Sequence, residues 1–78
     1  MIVEDKVYVV GRGWIICTKY DGKPLHIGDK FSIDDNIFEI SGIEALRYNT
    51  GSPIGLLLRP NDLVEGVKIG SEIKKYNI

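Results

Sequence analysis

One cysteine, Cys17, and one histidine, His26, are all the chain offers of the side chains that most often cross-link, hold transition metals or pair as nucleophile and base. A single cysteine excludes an intrachain disulfide and any zinc site built on cysteine pairs. No apolar run approaches the roughly 20 residues of a membrane-spanning helix. The start, Met1 to Val7, alternates acidic and apolar residues, where a secretory signal has a basic start and an apolar stretch. An excess of one charge is missing too. With ten Lys or Arg against eleven Asp or Glu, the long-range attraction to phosphate that drives unspecific nucleic-acid binding is absent. Together these absences set the expectation of a cytoplasmic protein without membrane contact, metal or cofactor.

What is present is an ordinary globular composition, 44% apolar and 27% charged, in 78 residues. That length gives one domain, residues 1–78, with a thin core, because a chain of this size buries only roughly 60 to 65% of the surface its unfolded form exposes. The charges are scattered. Lys74-Lys75 is the only basic doublet.

Apolar residues recur with period two in short runs rich in Val, Ile, Tyr and Phe, which is the pattern of strands. The runs are Lys6–Val10, Trp14–Lys19, Lys30–Ile33, Ile37–Tyr48, Ile54–Arg59 and Glu72–Tyr76. Turn chemistry separates them at Asp21-Gly22, Gly28-Asp29, Asp34-Asp35-Asn36, Asn49 to Pro53 and Pro60-Asn61-Asp62. Gly42, near the middle of the longest run, predicts a bulge or sharp bend. Only Asn61–Glu65 suits a helical turn, with Asn61 or Asp62 as its N-cap. "LHIGDKFSI" (Leu25–Ile33) and "VKIGSEIKK" (Val67–Lys75) repeat one turn geometry, with Gly28 and Gly70 free to take positive φ as the chain enters the sheet. Several short antiparallel strands in so small a chain leave unpaired edges unless the sheet closes, so the expected fold is all-β, a small barrel.

The residues that could carry chemistry are few. A Gly-x-Gly can cradle phosphate only if a helix follows it, and Gly13 is followed by Trp-Ile-Ile-Cys-Thr, a strand sequence. Gly11 and Gly13 therefore read as turn glycines, with Arg12 projecting outward. Cys17 among apolar neighbours reads as a small packed hydrophobe, and as a nucleophile it would need His26 within reach. Asp34 and Asp35 sit in a turn and read as local backbone acceptors.

Three segments occur together in an order that resembles the second domain of elongation factor Tu and its translation-GTPase relatives: "VYVVGRG" (Val7–Gly13), "SGIEALR" (Ser41–Arg47) and "IGLLLRP" (Ile54–Pro60), with "HIGDKFSI" between the first two. The resemblance covers about Asp5 to Ile73. It implies a closed six-stranded antiparallel Greek-key barrel and a surface that in the family helps to hold the aminoacylated 3′ end of transfer RNA. The residues it points to are Tyr8, Glu44, Arg47 and Leu57, a stacking and polar grip suited to an unstacked base. Alongside that reading, Tyr8 and Leu57 also suit plain packing, and Glu44 with Arg47 a surface ion pair. The departures are Pro53 in place of an asparagine, Lys6 in place of an acidic residue, Cys17-Thr18 in place of Thr-Gly, and Pro60 in place of a glycine. No phosphate-loop pattern is present, so the family's nucleotide switch is not expected here.

The functional expectation is a non-enzymatic, stand-alone binding module whose partner is a protein, or else the aminoacylated 3′ end of transfer RNA, with no nucleotide. The alternative is an interaction protein that mimics the elongation-factor barrel, as a toxin-immunity or regulatory protein would. An enzyme is the least favoured class, since fold alone does not supply a reaction.

Overall fold

The structure, a computed structural model, describes residues 1–45 and 47–77. Six strands form: β1 (Asp5–Val9), β2 (Gly13–Lys19), β3 (Lys30–Ile33), β4 (Asn36–Glu44), β5 (Pro53–Arg59) and β6 (Lys74–Lys75), with a 3₁₀ helix at Asn61–Gly66 between β5 and β6. Five of the predicted runs are matched to within a residue or two at most ends. Glu72–Tyr76 shrinks to a two-residue strand, and β4 ends at Glu44 rather than Tyr48. Leu46, inside that predicted run, lies outside the described residues, as does Ile78.

Every strand pair is antiparallel, in the order β1-β2-β5-β4-β3-β6. The expected antiparallel six-stranded sheet is present, and its paired strands do not close on themselves, β1 and β6 being the two ends. The segments just before those end strands do meet. The Val3 amide donates to Ser71 O at 2.9 Å, Gly70 to Val3 O at 2.8 Å and Ile73 to Met1 O at 2.7 Å, around an isolated bridge between Ile2 and Glu72. Thr18, 2% exposed, donates its hydroxyl to Ile2 O at 2.6 Å and so fixes the same N-terminal segment to β2.

The period-two pattern buries one side chain in two. Ile16, Phe31, Ile33, Phe38, Ile40, Ile54, Leu56 and Leu58 form the core from the strands, closed by Val3, Val64, Val67 and Ile73 from the connections. Each fully buried side chain of this size contributes about 1.5–3 kcal/mol over its exposed state. Two devices bend the sheet around that core. Between Ile40 and Gly42 the register against β5 shifts by one residue, and the extra residue, Ser41, donates its hydroxyl to Leu57 O at 3.1 Å. This is the predicted bulge, and Gly42 leaves room there for Leu57, whose Cβ would lie 3.4 Å from an added methyl.

The second device lies where β2 and β5 part. Their pairing runs from Lys19–Pro53 to Ile15–Leu57 and stops one step short of Trp14 and Leu58. The Asn61 carboxamide fills the gap. Its Oδ1 accepts from the Trp14 amide at 2.8 Å, and its Nδ2 donates to Trp14 O and to Leu58 O, both at 3.0 Å. Asn61 therefore does not cap the 3₁₀ helix, whose N-cap is Pro60 with no side-chain cap bond. A cap needs only an acceptor, whereas this gap needs an acceptor and a donor together, which the carboxamide has.

The Gly-Arg-Gly segment serves the same junction. Arg12 N donates to Val9 O at 3.0 Å, closing the β1–β2 turn, with Gly11 at φ 84°. Gly13 has φ 104°, and a Cβ there would lie 2.3 Å from Asn61 Oδ1. No helix follows; β2 does. At the other hairpin, Asp34 and Asp35 adopt φ of 50° and 67° between β3 and β4, as the central residues of a two-residue turn of the mirror-image type. Asp34 does not serve the local backbone as expected. It accepts from the Lys68 amide at 3.0 Å and the Ser71 hydroxyl at 2.6 Å, tying the hairpin to the chain before β6.

Gly13→Ala should cost about 3 kcal/mol or more in urea unfolding, through a left-handed backbone and a clash with Asn61. Gly11→Ala, with open space around it, should cost only about 1 kcal/mol. Equal losses at the two positions would contradict the assignment of Gly13 to the Asn61 junction.

Candidate functional site

Because antiparallel partners share a face, the strand register writes out the sheet surface that points away from the core. One row crosses four strands as Val7, Ile15, Leu57 and Gly42, and the next as Asp5, Cys17, Gly55 and Glu44. The first row is entirely apolar. The second carries a carboxylate at each end and a thiol and a glycine between them. A recess of 660 Å³ lies on this face, with Val7, Ile15, Cys17, Gly55 and Glu44 among the residues that line it.

Gly55 explains the hollow. A Cβ at that position would meet Ile15 Cγ2 at 2.9 Å and Glu44 Cβ at 3.6 Å, so neighbouring side chains already lean over it. Ile15 is thereby 6% exposed although it faces outward, while Val7 at the rim is 45% exposed. Arg12, from the β1–β2 turn, forms an ion pair with Glu44 at the end of β4, both side chains being about half exposed. Such a pair adds little stability but holds both groups at the edge of an apolar surface.

The four residues singled out by resemblance are divided by this geometry. Glu44 and Leu57 share the outward face, Leu57 against Gly42 and Glu44 opposite Gly55. Arg47 is exposed in the connection three residues beyond Glu44, and among the described residues it makes no ion pair. Tyr8 alternates to the other side of β1. There it is 58% exposed and packs edge-on against Trp14, ring centroids 5.4 Å apart, while Lys6 Nζ lies 5.3 Å from the centre of the Trp14 ring. Lys6 also donates to the carbonyls of Val64 and Glu65 at the end of the 3₁₀ helix. The anticipated pairing of Glu44 with Arg47 is replaced by Glu44 with Arg12.

The residues sequence reasoning overlooked are Val7, Ile15 and Gly55, and the role of Arg12. A signal for them exists in "VYVV" and "WIIC", where apolar residues occupy both phases of the alternation, so that one phase must face outward.

Cys17 and His26 are not brought together. Cys17 lines the outward recess, whereas His26 is exposed, with its amide on Asp29 Oδ2 at 2.9 Å, beside a different recess near β6. Burial pushes the Cys17 thiol above its ordinary pKa, and the neighbouring Asp5 carboxylate pushes it further in the same direction. A protonated thiol without a base is a poor nucleophile. Ser71 and the Lys68 amide hold the Asp34 carboxyl below the usual aspartate range, which favours the ionised acceptor and not a general acid.

Alkylation of Cys17 by iodoacetamide should be slower at pH 7 in the folded protein than in the unfolded chain, with the midpoint of its pH profile displaced upward. A folded-state midpoint at or below that of the unfolded chain would contradict this environment. Compared with protein-family models, curated proteins and solved structures, the chain matches none of them.

Proposed function

We propose that this chain is a non-enzymatic binding module that presents the outward face of β1, β2, β5 and β4 to a protein partner. The observation that carries the reading is the 660 Å³ apolar recess around Ile15, Cys17 and Gly55, edged by the Arg12–Glu44 pair. Apolar surface left in the open on one face of a small sheet, with charges at its edge, is the usual composition of a contact patch. A protein is favoured over RNA because Arg12 and Glu44 answer each other in an ion pair, which leaves the Asp5 carboxylate and no free cation on the two rows of this face.

The reading extends to the fold. Bonds joining Met1–Val3 to Gly70–Ile73 support a barrel-like wrap of the kind found in the second domain of elongation factor Tu, with the terminal segments bridging what the named strands leave open. Under that resemblance Glu44, Leu57 and Arg47 would also suit an RNA 3′ end. Tyr8, across the sheet, would belong to a separate contact.

Affinity capture from lysate with the wild-type chain should retain a stoichiometric protein, and Leu57→Glu or Val7→Glu should reduce that retention at least tenfold while the amide NMR spectrum stays folded. A short acceptor-end RNA should leave the amides of Glu44 and Arg47 unshifted. Saturable RNA shifts there, with capture unaffected by either variant, would overturn the protein-partner reading in favour of the RNA one.

A further inference from the structure

A second recess, of 520 Å³, lies at the opposite end of the sheet between the Asp21–His26 loop and β6. Its floor is apolar: Phe31 and Ile73, each 4% exposed, with Leu25 half-buried beside them. Its rim is cationic, built from Lys23, Lys74 and Lys75. The register makes Lys75 the most telling of the three. It stands directly opposite Phe31 across the β3–β6 pair, and therefore on the core-facing side of the sheet, where the pattern of the other strands calls for an apolar side chain.

The anionic side chains at this rim do not neutralise it. Glu72 lies 3.9 Å from Lys74 and answers that one charge. Asp21 accepts from the Lys23 amide at 3.0 Å and, among the described residues, forms no ion pair with a lysine, so three ammonium groups stand against two carboxylates and the rim keeps a positive excess. Among the described residues, the ammonium groups of Lys23 and Lys75 have no ion-pair partner. An excess of positive charge over an apolar floor, with the ammonium groups of Lys23 and Lys75 free of ion pairs among the described residues, forms a local complement to a molecule with an apolar body and an anionic head.

We propose that this recess is a binding site for a small organic anion, an aromatic or branched aliphatic body carrying a carboxylate, phosphate or sulfonate. The body sits on Phe31, Leu25 and Ile73, and the head is met by Lys75 and Lys23. The volume falls within the range of pockets that hold drug-sized ligands. The site is independent of the outward face, on the other side of the sheet, and needs nothing from the protein-partner reading.

Anilinonaphthalene sulfonate, an aromatic body with one anionic group, is a suitable probe, and its neutral analogue N-phenylnaphthylamine is the control. Titrated into the folded wild-type chain, the sulfonate should produce saturable amide NMR shifts at Leu25, Phe31, Ile73 and Lys75. The neutral analogue should bind at least tenfold more weakly. Lys75→Glu should weaken the sulfonate at least tenfold, and so should Lys23→Glu, which lies in a loop outside every strand and leaves the sheet intact. Shifts confined to the outward recess, equal affinity for the neutral probe, or binding unchanged in both variants would overturn the proposal. Absence of any saturable shift would do the same, and would leave Lys74 and Lys75 as charges that keep a short edge strand from pairing with other chains.

Discussion

The carboxamide of Asn61, wedged between Trp14 and Leu58, is the contact on which the arrangement of this sheet depends. β5 must serve two neighbours: it runs along β2 as far as Leu57 and then stays with β4 through Leu58 and Arg59. Where it leaves β2, the Trp14 peptide group would lose both its donor and its acceptor partners. Unpaired backbone groups away from water cost about 1–3 kcal/mol each. Asn61 restores both, and no buried side-chain polar atom among the described residues is left without a partner. The divergence of the two strands is thus made tolerable by one side chain, and Gly13 has no Cβ because Asn61 needs that space.

The same junction organises one end of the molecule. Trp14, held through its backbone, presents its ring to Tyr8 on one side and to Lys6 on another, and Lys6 reaches on to the carbonyls that end the 3₁₀ helix. The seam between the N-terminal segment and the approach to β6 is held by other means: the Asp34 carboxylate on Ser71 and Lys68, and the N-terminal segment between Thr18 and Ser71. Both recesses follow from this frame. Splaying β5 toward β4 with a bulge at Ser41 places Gly42 and Gly55 beside larger neighbours, which hollows the outer face. Shortening β6 to two residues leaves Lys75 opposite Phe31 at the mouth of the second recess.

Strand identity was legible in the sequence because the period-two alternation over "KFSI" or "IGLLLR" admits few other readings. The bulge was legible too, since a glycine within a long apolar run has few other uses. The role of Asn61 was not. Asparagine after proline at the start of a helical turn is what an N-cap looks like, and only the endpoint of the β2–β5 register shows that a different peptide group needs it. The division of Tyr8 from Glu44 and Leu57 was hidden for a related reason: a motif gives order along the chain, whereas the face of a strand is set by register, and one step in register moves a side chain across the sheet. Arg12 was correctly read as outward, but its partner, 32 positions away, carried no local signal.

The most direct measurement of the central claim is the unfolding free energy of Asn61→Ala beside that of Asn61→Asp, with exchange of the Trp14 amide followed by NMR. If the carboxamide acts as both donor and acceptor between the strands, the alanine variant loses about 2 kcal/mol and the Trp14 amide exchanges much faster. The aspartate variant, which keeps the acceptor but turns a carboxylate toward two carbonyl oxygens, is then no more stable than alanine at neutral pH. An aspartate variant as stable as wild type, or an unchanged Trp14 exchange rate in the alanine variant, would contradict the account.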